Sequence, residues 1–218
     1  TGAAFQALSV KENVALVAMA DAFQDRIDSC YNSLNSDKTP QVKARLKVPK
    51  ENQFVGFDAY KKAISLADVV ILTTPPGFRP MHFEEAVAKG KHVFMEKPVA
   101  TDAPGIRRVL KAAEESKKKN LKVVVGLQRH YQTSYLETYK RVIDQKVIGD
   151  IVSARCYWNN DGVWMVKREA QMTEMEYQMR NWYYFVWLCG DHISEQHIHN
   201  IDVINWFLGK QPESAVGY

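Results

Sequence analysis

Four short apolar runs punctuate the first 130 residues: 14–20 (VALVAMA), 68–74 (DVVILTT), 92–95 (HVFM) and 121–127 (LKVVVGL). None shows the strict polar alternation of a half-exposed strand, so each reads as a strand buried on both faces of a parallel sheet. Helical stretches separate them, over about 22–34, 59–66, 81–89 and 103–119. Residues 54–57 read as a further short strand, and 35–53 as a polar, basic connection without regular pattern. Asp58, and Thr101 or Asp102, are placed to cap helices, and Gly90 to end one. Alternating strand and helix of this kind predicts an α/β fold, a doubly wound parallel sheet with helices on both faces.

Beyond residue 130 the pattern changes. A long amphipathic helix over 131–147 leads to a turn at Gly149–Asp150. Residues 151–159 then alternate between Val152, Ala154, Cys156 and Trp158 on one face and Ile151, Ser153, Arg155 and Tyr157 on the other. That alternation predicts an antiparallel strand. Two domains are expected: 1–130, and 131–218 as the start of an α+β domain with an open, mainly antiparallel sheet. The chain opens at Thr1 in what reads as the interior of a helix and stops, after Pro212, in what reads as a beginning strand. Both ends are therefore expected to be cut.

With 46% hydrophobic and 25% charged residues, disordered, collagenous and coiled-coil classes are excluded. A net charge of +4 gives no reason to expect nucleic acid or an anionic membrane as partner, and no apolar run is long enough to span a bilayer. Cys30, Cys156 and Cys189 are far apart and form no CxxC pair, against a disulfide framework or a cysteine-based zinc site.

Ligands of doubly wound sheets bind at the carboxyl ends of the strands. Here those ends carry Asp21, then Thr73, Thr74 and Pro75, then Glu96, Lys97 and Pro98, then Gln128 to His130. Asp21 suits an acceptor for ribose hydroxyls, which favours NAD over NADP because a 2′-phosphate would be repelled. It equally suits a helix cap. Lys97 would aim an ammonium into the cleft and stabilise a developing alkoxide, or lie solvated in a loop. If residues 191–208 are helical, Asp191, Glu195, His199 and Asp202 share one polar stripe, and Ile193, His197, Ile201, Ile204 and Leu208 form a buried, mostly apolar one. His199 can then act as a general base whose pKa Glu195 raises and whose ring it orients, or the helix is simply a charged surface. His192, His197 and His199 do not share one face, so no metal is expected. The aromatic residues Trp182, Tyr183, Tyr184 and Trp187 suit sugar rings or plain packing.

The run GKHVFMEKPVATD, the turn at Thr73 to Pro76 and the segment ISEQHIHNIDVINWFLG together resemble the glucose–fructose oxidoreductase / inositol dehydrogenase / MocA family. The run RNWYYFVWLCGDHISEQHIHNIDVINW is similar to a branch often exported with twin-arginine leaders. The resemblance implies an N-terminal Rossmann domain, a C-terminal α/β domain often used for oligomers, and NAD(P)-dependent oxidation or reduction of sugars or polyols. By motif position it makes Lys97 the catalytic lysine, His199 the acid/base histidine and Asp21 the ribose-binding acid. Glu195 stands where many members have Asp.

No GxGxxG precedes Asp21, and the first strand of the fold is missing from these residues. That strand is central in a doubly wound sheet, so two unpaired half-sheets are expected, and weak binding of NAD by residues 1–218 alone. The expected activity is hydride transfer between NAD and a sugar or polyol, in a homo-oligomer at full length, cytoplasmic or exported. The alternatives are an NAD-dependent glycosidase-like enzyme that keeps its cofactor, and a non-catalytic dinucleotide-binding or assembly protein.

Overall fold

A computed structural model describes residues 1–10 and 13–217. Strand β1 (Met19–Asp21) pairs in parallel with β2 (Gln53–Val55), Met19 lying opposite Gln53. Strands β3 (Val69–Leu72), β4 (His92–Met95) and β5 (Val123–Val125) form a second parallel sheet in that order. The two sheets are not hydrogen-bonded to each other among the described residues. Two separate half-sheets are what the sequence reading expects of these residues.

Each half-sheet has its own core. Leu8 of α1 (Gly2–Ser9), Ile27 and Leu34 of α2 (Gln24–Asn35) and Val42 of α3 (Pro40–Arg45) close on Met19 and Val48. Ile64 of α4 (Ala59–Leu66), Phe83, Ala86 and Val87 of α5 (Arg79–Ala88), and Val109 and Ala112 of α6 (Ala103–Lys118) close on Val70, Leu72, Val93 and Met95. Phe83 is fully buried, and its truncation to Ala would cost about 3–5 kcal/mol.

The caps follow residue chemistry. Asp102, not Thr101, caps α6, its carboxylate accepting the Gly105 N–H at 2.7 Å. Gly90 adopts φ +70° past the end of α5, where the Lys91 N–H reaches back to the Ala86 carbonyl at 2.9 Å. Asp58 stands at the N-terminus of α4 without capping it, because its carboxylate pairs with Lys61 at 2.7 Å.

Several sequence expectations fail here. Only one face of the three-stranded sheet is well covered: its register aligns Val70 with Val93 and Leu72 with Met95, all buried, whereas Val69 is 57% and Val124 40% exposed. An unbroken apolar run reports strand propensity but not how many faces find a partner layer. The first run pairs over Met19–Asp21 only, with a single further bridge from Leu16 to Leu46, because β2 is itself three residues long. The connection 35–53 contains α3, opened by Thr39 and Pro40 and anchored by the fully buried Val42. Residues 151–159 form no strand: nothing pairs with them among the described residues, and alternation without an edge to bond leaves the backbone irregular.

After β5 come a short turn (Gln128–Tyr131), α7 (Thr133–Tyr139) with a π-helical continuation to Asp144, α8 (Glu174–Arg180) and α9 (Val186–Cys189). A π-helical turn (Ile193–His197) leads into α10 (Ile198–Leu208). The helix over 191–208 therefore exists, but the apolar stripe is not the buried one: Asp191 is exposed and Asp202, Ile204 and Leu208 are half-buried. Glu195, His199 and Asn200 are buried, while Ile193 is 52% and Ile201 40% exposed. Polar partners at the strand ends of the first half draw the polar face inward. No helix among the described residues is long and apolar enough to cross a membrane.

Candidate active site

The polar strand ends gather at two clefts. The first, about 280 Å³, is lined by Asp21 at the end of β1, Thr73, Thr74 and Pro75 after β3, and Tyr60 and His82 from α4 and α5. Arg180 of α8, Trp164 and Trp182 contribute from the second half of the chain. One Asp21 carboxylate oxygen accepts the Phe23 N–H at 3.0 Å, so the residue makes a turn toward α2 while still facing the cavity. Burial raises its pKa, against the pull of that N–H and of Arg26. Thr74 Oγ1 lies 3.1 Å from His82 Nδ1, and the His82 ring stacks on Tyr60 at 4.2 Å. Burial, aided by the Arg79 charge, pushes His82 down to about 4, so the ring is neutral.

The second cleft is lined by Glu96 and Lys97 after β4, Val125 at the end of β5, Gly126 and Gln128 after it, and His199 from α10. Lys97 and His199, 102 positions apart in sequence, thus share one wall system. Gly126 leaves room for the Glu96 carboxylate: a Cβ there would lie 2.5 Å from one of its oxygens and would make that side chain swing aside.

Glu195 is not where helical spacing puts it. Its Oε1 accepts from Lys97 Nζ at 2.9 Å, and Lys97 Nζ also donates to the Glu195 backbone carbonyl. Glu195 therefore holds the ammonium and makes no bond to His199. The carbonyl belongs to the π-helical turn, where Ile198 N–H reaches back five residues to Ile193 and helix bonding is loosened. Burial raises the Glu195 pKa, opposed by Lys97 and Arg79. Its second oxygen, Oε2, is buried without a partner.

His199 is buried, and its Nδ1 has no partner. Its pKa is pushed down to about 4 by burial, then by the positive charges of Lys97 and Arg129. The expected rise caused by Glu195 does not occur, because Glu195 is spent on Lys97 and two cations face the ring. The helix carrying His199 is tied to the end of β5 by Arg129 to Asn200 Oδ1 and by His130 to Asp202 at 2.7 Å. Asn200 in turn donates to the Tyr157 carbonyl at 2.7 Å.

Sequence reasoning missed Arg79, His82 and Tyr60. The available signal was an arginine and a histidine, FRPMH, inside a helix whose other inward positions are apolar. Of the four aromatic residues proposed for sugar contact, Trp182 lines the Asp21 cavity and Trp187 hydrogen-bonds Gln178 at 2.8 Å. No group of three or more His, Cys, Asp or Glu residues is placed to hold a metal among the described residues.

A family model described as "Oxidoreductase family, NAD-binding Rossmann fold" matches residues 9–126. The chain is 32% identical over 210 residues to inositol 2-dehydrogenase of Serratia proteamaculans, covering 90% of this chain and 54% of that protein. It is 29% identical over 182 residues to inositol 2-dehydrogenase/D-chiro-inositol 3-dehydrogenase of Halalkalibacterium halodurans, covering 84% and 45%. The fold matches that of apo scyllo-inositol dehydrogenase from Lactobacillus casei, with TM-score 0.62, 23% identity, and 94% and 51% of the two chains covered. The chain spans about half the length of the curated relatives it matches. Parallel half-sheets, polar strand ends and the match over 9–126 lead to one assignment: this chain belongs to the glucose–fructose oxidoreductase / inositol dehydrogenase / MocA family of NAD-binding Rossmann-fold oxidoreductases.

Proposed function

We propose that the protein is an NAD-dependent dehydrogenase acting on a secondary hydroxyl of a polyol or sugar, with inositols the first substrates to try. One observation carries the reading: the Lys97 ammonium, held by Glu195, and the neutral imidazole of His199 face the same cleft. The donor set suits a dinucleotide as well. A carboxylate at the end of β1 and the threonine hydroxyls after β3 line one cavity, as an adenosine ribose requires. Asp21, Thr73, Thr74 and Pro75 would hold that half, and Glu96, Lys97 and Gln128 the nicotinamide side. When bound, NAD supplies the hydride acceptor.

The residues divide the remaining work. Lys97 has three ammonium donors, and two go to Glu195, leaving one for the substrate oxygen. A fixed positive charge there stabilises the alkoxide as it develops. His199 takes the hydroxyl proton: at neutral pH an imidazole with a pKa near 4 is unprotonated and free to accept.

The test is NAD reduction at 340 nm with myo-inositol, on the protein at its natural length. Lys97→Met should lower kcat about 10²–10³-fold, and His199→Asn about 10²–10⁴-fold. Turnover unaffected by either change would overturn the assignment of these residues.

A further inference from the structure

Arg79 opens α5 and is 2% exposed, yet it makes no ion pair among the described residues. Its guanidinium donates instead to three backbone carbonyls: Thr74 after β3, and Glu96 and Pro98 after β4, the last at 3.3 Å. Nε is left without a partner. Burial works against the charge, and the carboxylates of Glu96 and Glu195 work for it. An unpaired buried cation is costly, and an apolar side chain would fill the same space more cheaply. What the guanidinium does that an apolar group cannot is grip two strand ends at once.

Two of the three carbonyls it grips lie immediately before and immediately after Lys97. We propose that Arg79 is a positioning residue for Lys97: by clamping the Glu96 and Pro98 carbonyls to the Thr74 turn, it fixes the direction of the ammonium toward Glu195 and the cleft. Planar forked donors suit this task. A lysine at the same place keeps the charge but cannot reach three carbonyls in fixed directions. The positive charge also favours the ionised form of Glu195, and so the pair that holds Lys97. The catalytic meaning of this clamp rests on the dehydrogenase reading above. The placement of Lys97 does not.

Two measurements separate these levels, on the natural-length protein carrying Arg79→Lys or Arg79→Met. The first is competitive acetylation with acetic anhydride, followed by peptide mass spectrometry. Lys97 in the unaltered protein should react slowly beside the exposed Lys61 and Lys118. In Arg79→Lys its relative rate should rise at least 3-fold, with the other lysines unchanged. The second is steady-state kinetics with NAD and myo-inositol. Here kcat per folded molecule should fall 10–100-fold in Arg79→Lys, with KM for NAD within 3-fold. In Arg79→Met the acid limb of the kcat–pH profile should also move to higher pH, as Glu195 loses a supporting cation.

Unchanged Lys97 labelling in folded Arg79→Lys overturns the proposal. So does a kcat loss accounted for by the loss of folded protein. If Arg79→Met does not fold, Arg79→Lys alone decides. Absence of turnover in the unaltered protein, with Lys97 labelling still raised in Arg79→Lys, removes the dehydrogenase reading and leaves the clamp standing.

Discussion

Lys97 Nζ lies 2.9 Å from Glu195 Oε1, an ion pair between residues 98 positions apart with both side chains largely shielded from water. Removing one member of a buried pair strands the other, at about 3–5 kcal/mol. Lys97→Met should therefore destabilise the protein by about that amount in urea unfolding. Lys97→Met/Glu195→Leu should recover a large part of it. Strictly additive single changes would mean that the two side chains do not interact in solution.

Stability should fall as the solution is acidified through the histidine range. His82 and His199 both have pKa values near 4 in the folded protein, against about 6.5 when unfolded. Between those values the unfolded chain binds more protons, so stability is present above about pH 6.5 and is lost progressively down to about pH 4. Each shift corresponds to at most about 3–4 kcal/mol. Asp21 and Glu195, whose carboxyl pKa values burial raises, slope the other way over their own range. Urea midpoints measured from pH 7.5 to 4 should decline, and His82→Phe should flatten the decline. A midpoint that does not vary over this range would contradict the burial of these rings as neutral groups.

Asp21 should govern cofactor choice. Its carboxylate faces the first cavity beside Thr73 and Thr74. A hydrogen bond from a ribose hydroxyl to a charged acceptor is worth about 1.5–3 kcal/mol. Asp21→Ser should accordingly raise KM for NAD about 10–100-fold and shift the NAD/NADP ratio of kcat/KM toward NADP, because the charge that repels a 2′-phosphate is gone. An unchanged ratio would leave Asp21 with only its turn-forming bond to Phe23.

Gly126 should tolerate no side chain while Glu96 keeps its place. A Cβ would meet the Glu96 carboxylate at 2.5 and 3.0 Å, and the carboxylate would have to swing away. Because the clash is with the end of a flexible side chain, the cost sits at or below the low end of overpacking, about 1 kcal/mol. Gly126→Ala should lower Tm by about 2–4 °C at most, and in the Glu96→Ala background the same change should be close to neutral. Equal effects in both backgrounds would point to the backbone rather than the clash.

The strand–helix rhythm was legible in the residues because it is local. Residues 92–95 are a strand as predicted, Gly90 and Asp102 end and begin the expected helices, and the polar strand ends line the clefts. Hydrophobic runs and cap residues report the conformation of their own segment, and that signal survives without knowledge of the rest. Parallel pairing within each half-sheet was legible too, because strands separated by helices return in the same direction.

Partnership across the fold was not legible. Helical spacing put Glu195 beside His199, but an ammonium 98 residues away competes for the same carboxylate and wins, since opposite charges in a buried setting attract more strongly than a neutral ring binds. Burial first, and then the charges of Lys97 and Arg129, lower the His199 pKa where a rise was expected. The inward face of α10 and the burial of Arg79 follow from the same cause. Periodicity says which residues share a face, whereas the face that is buried depends on what another segment offers it. For residues 151–159 the segment offers a strand pattern and no neighbour among the described residues pairs with it, and a ladder needs two edges where propensity supplies only one.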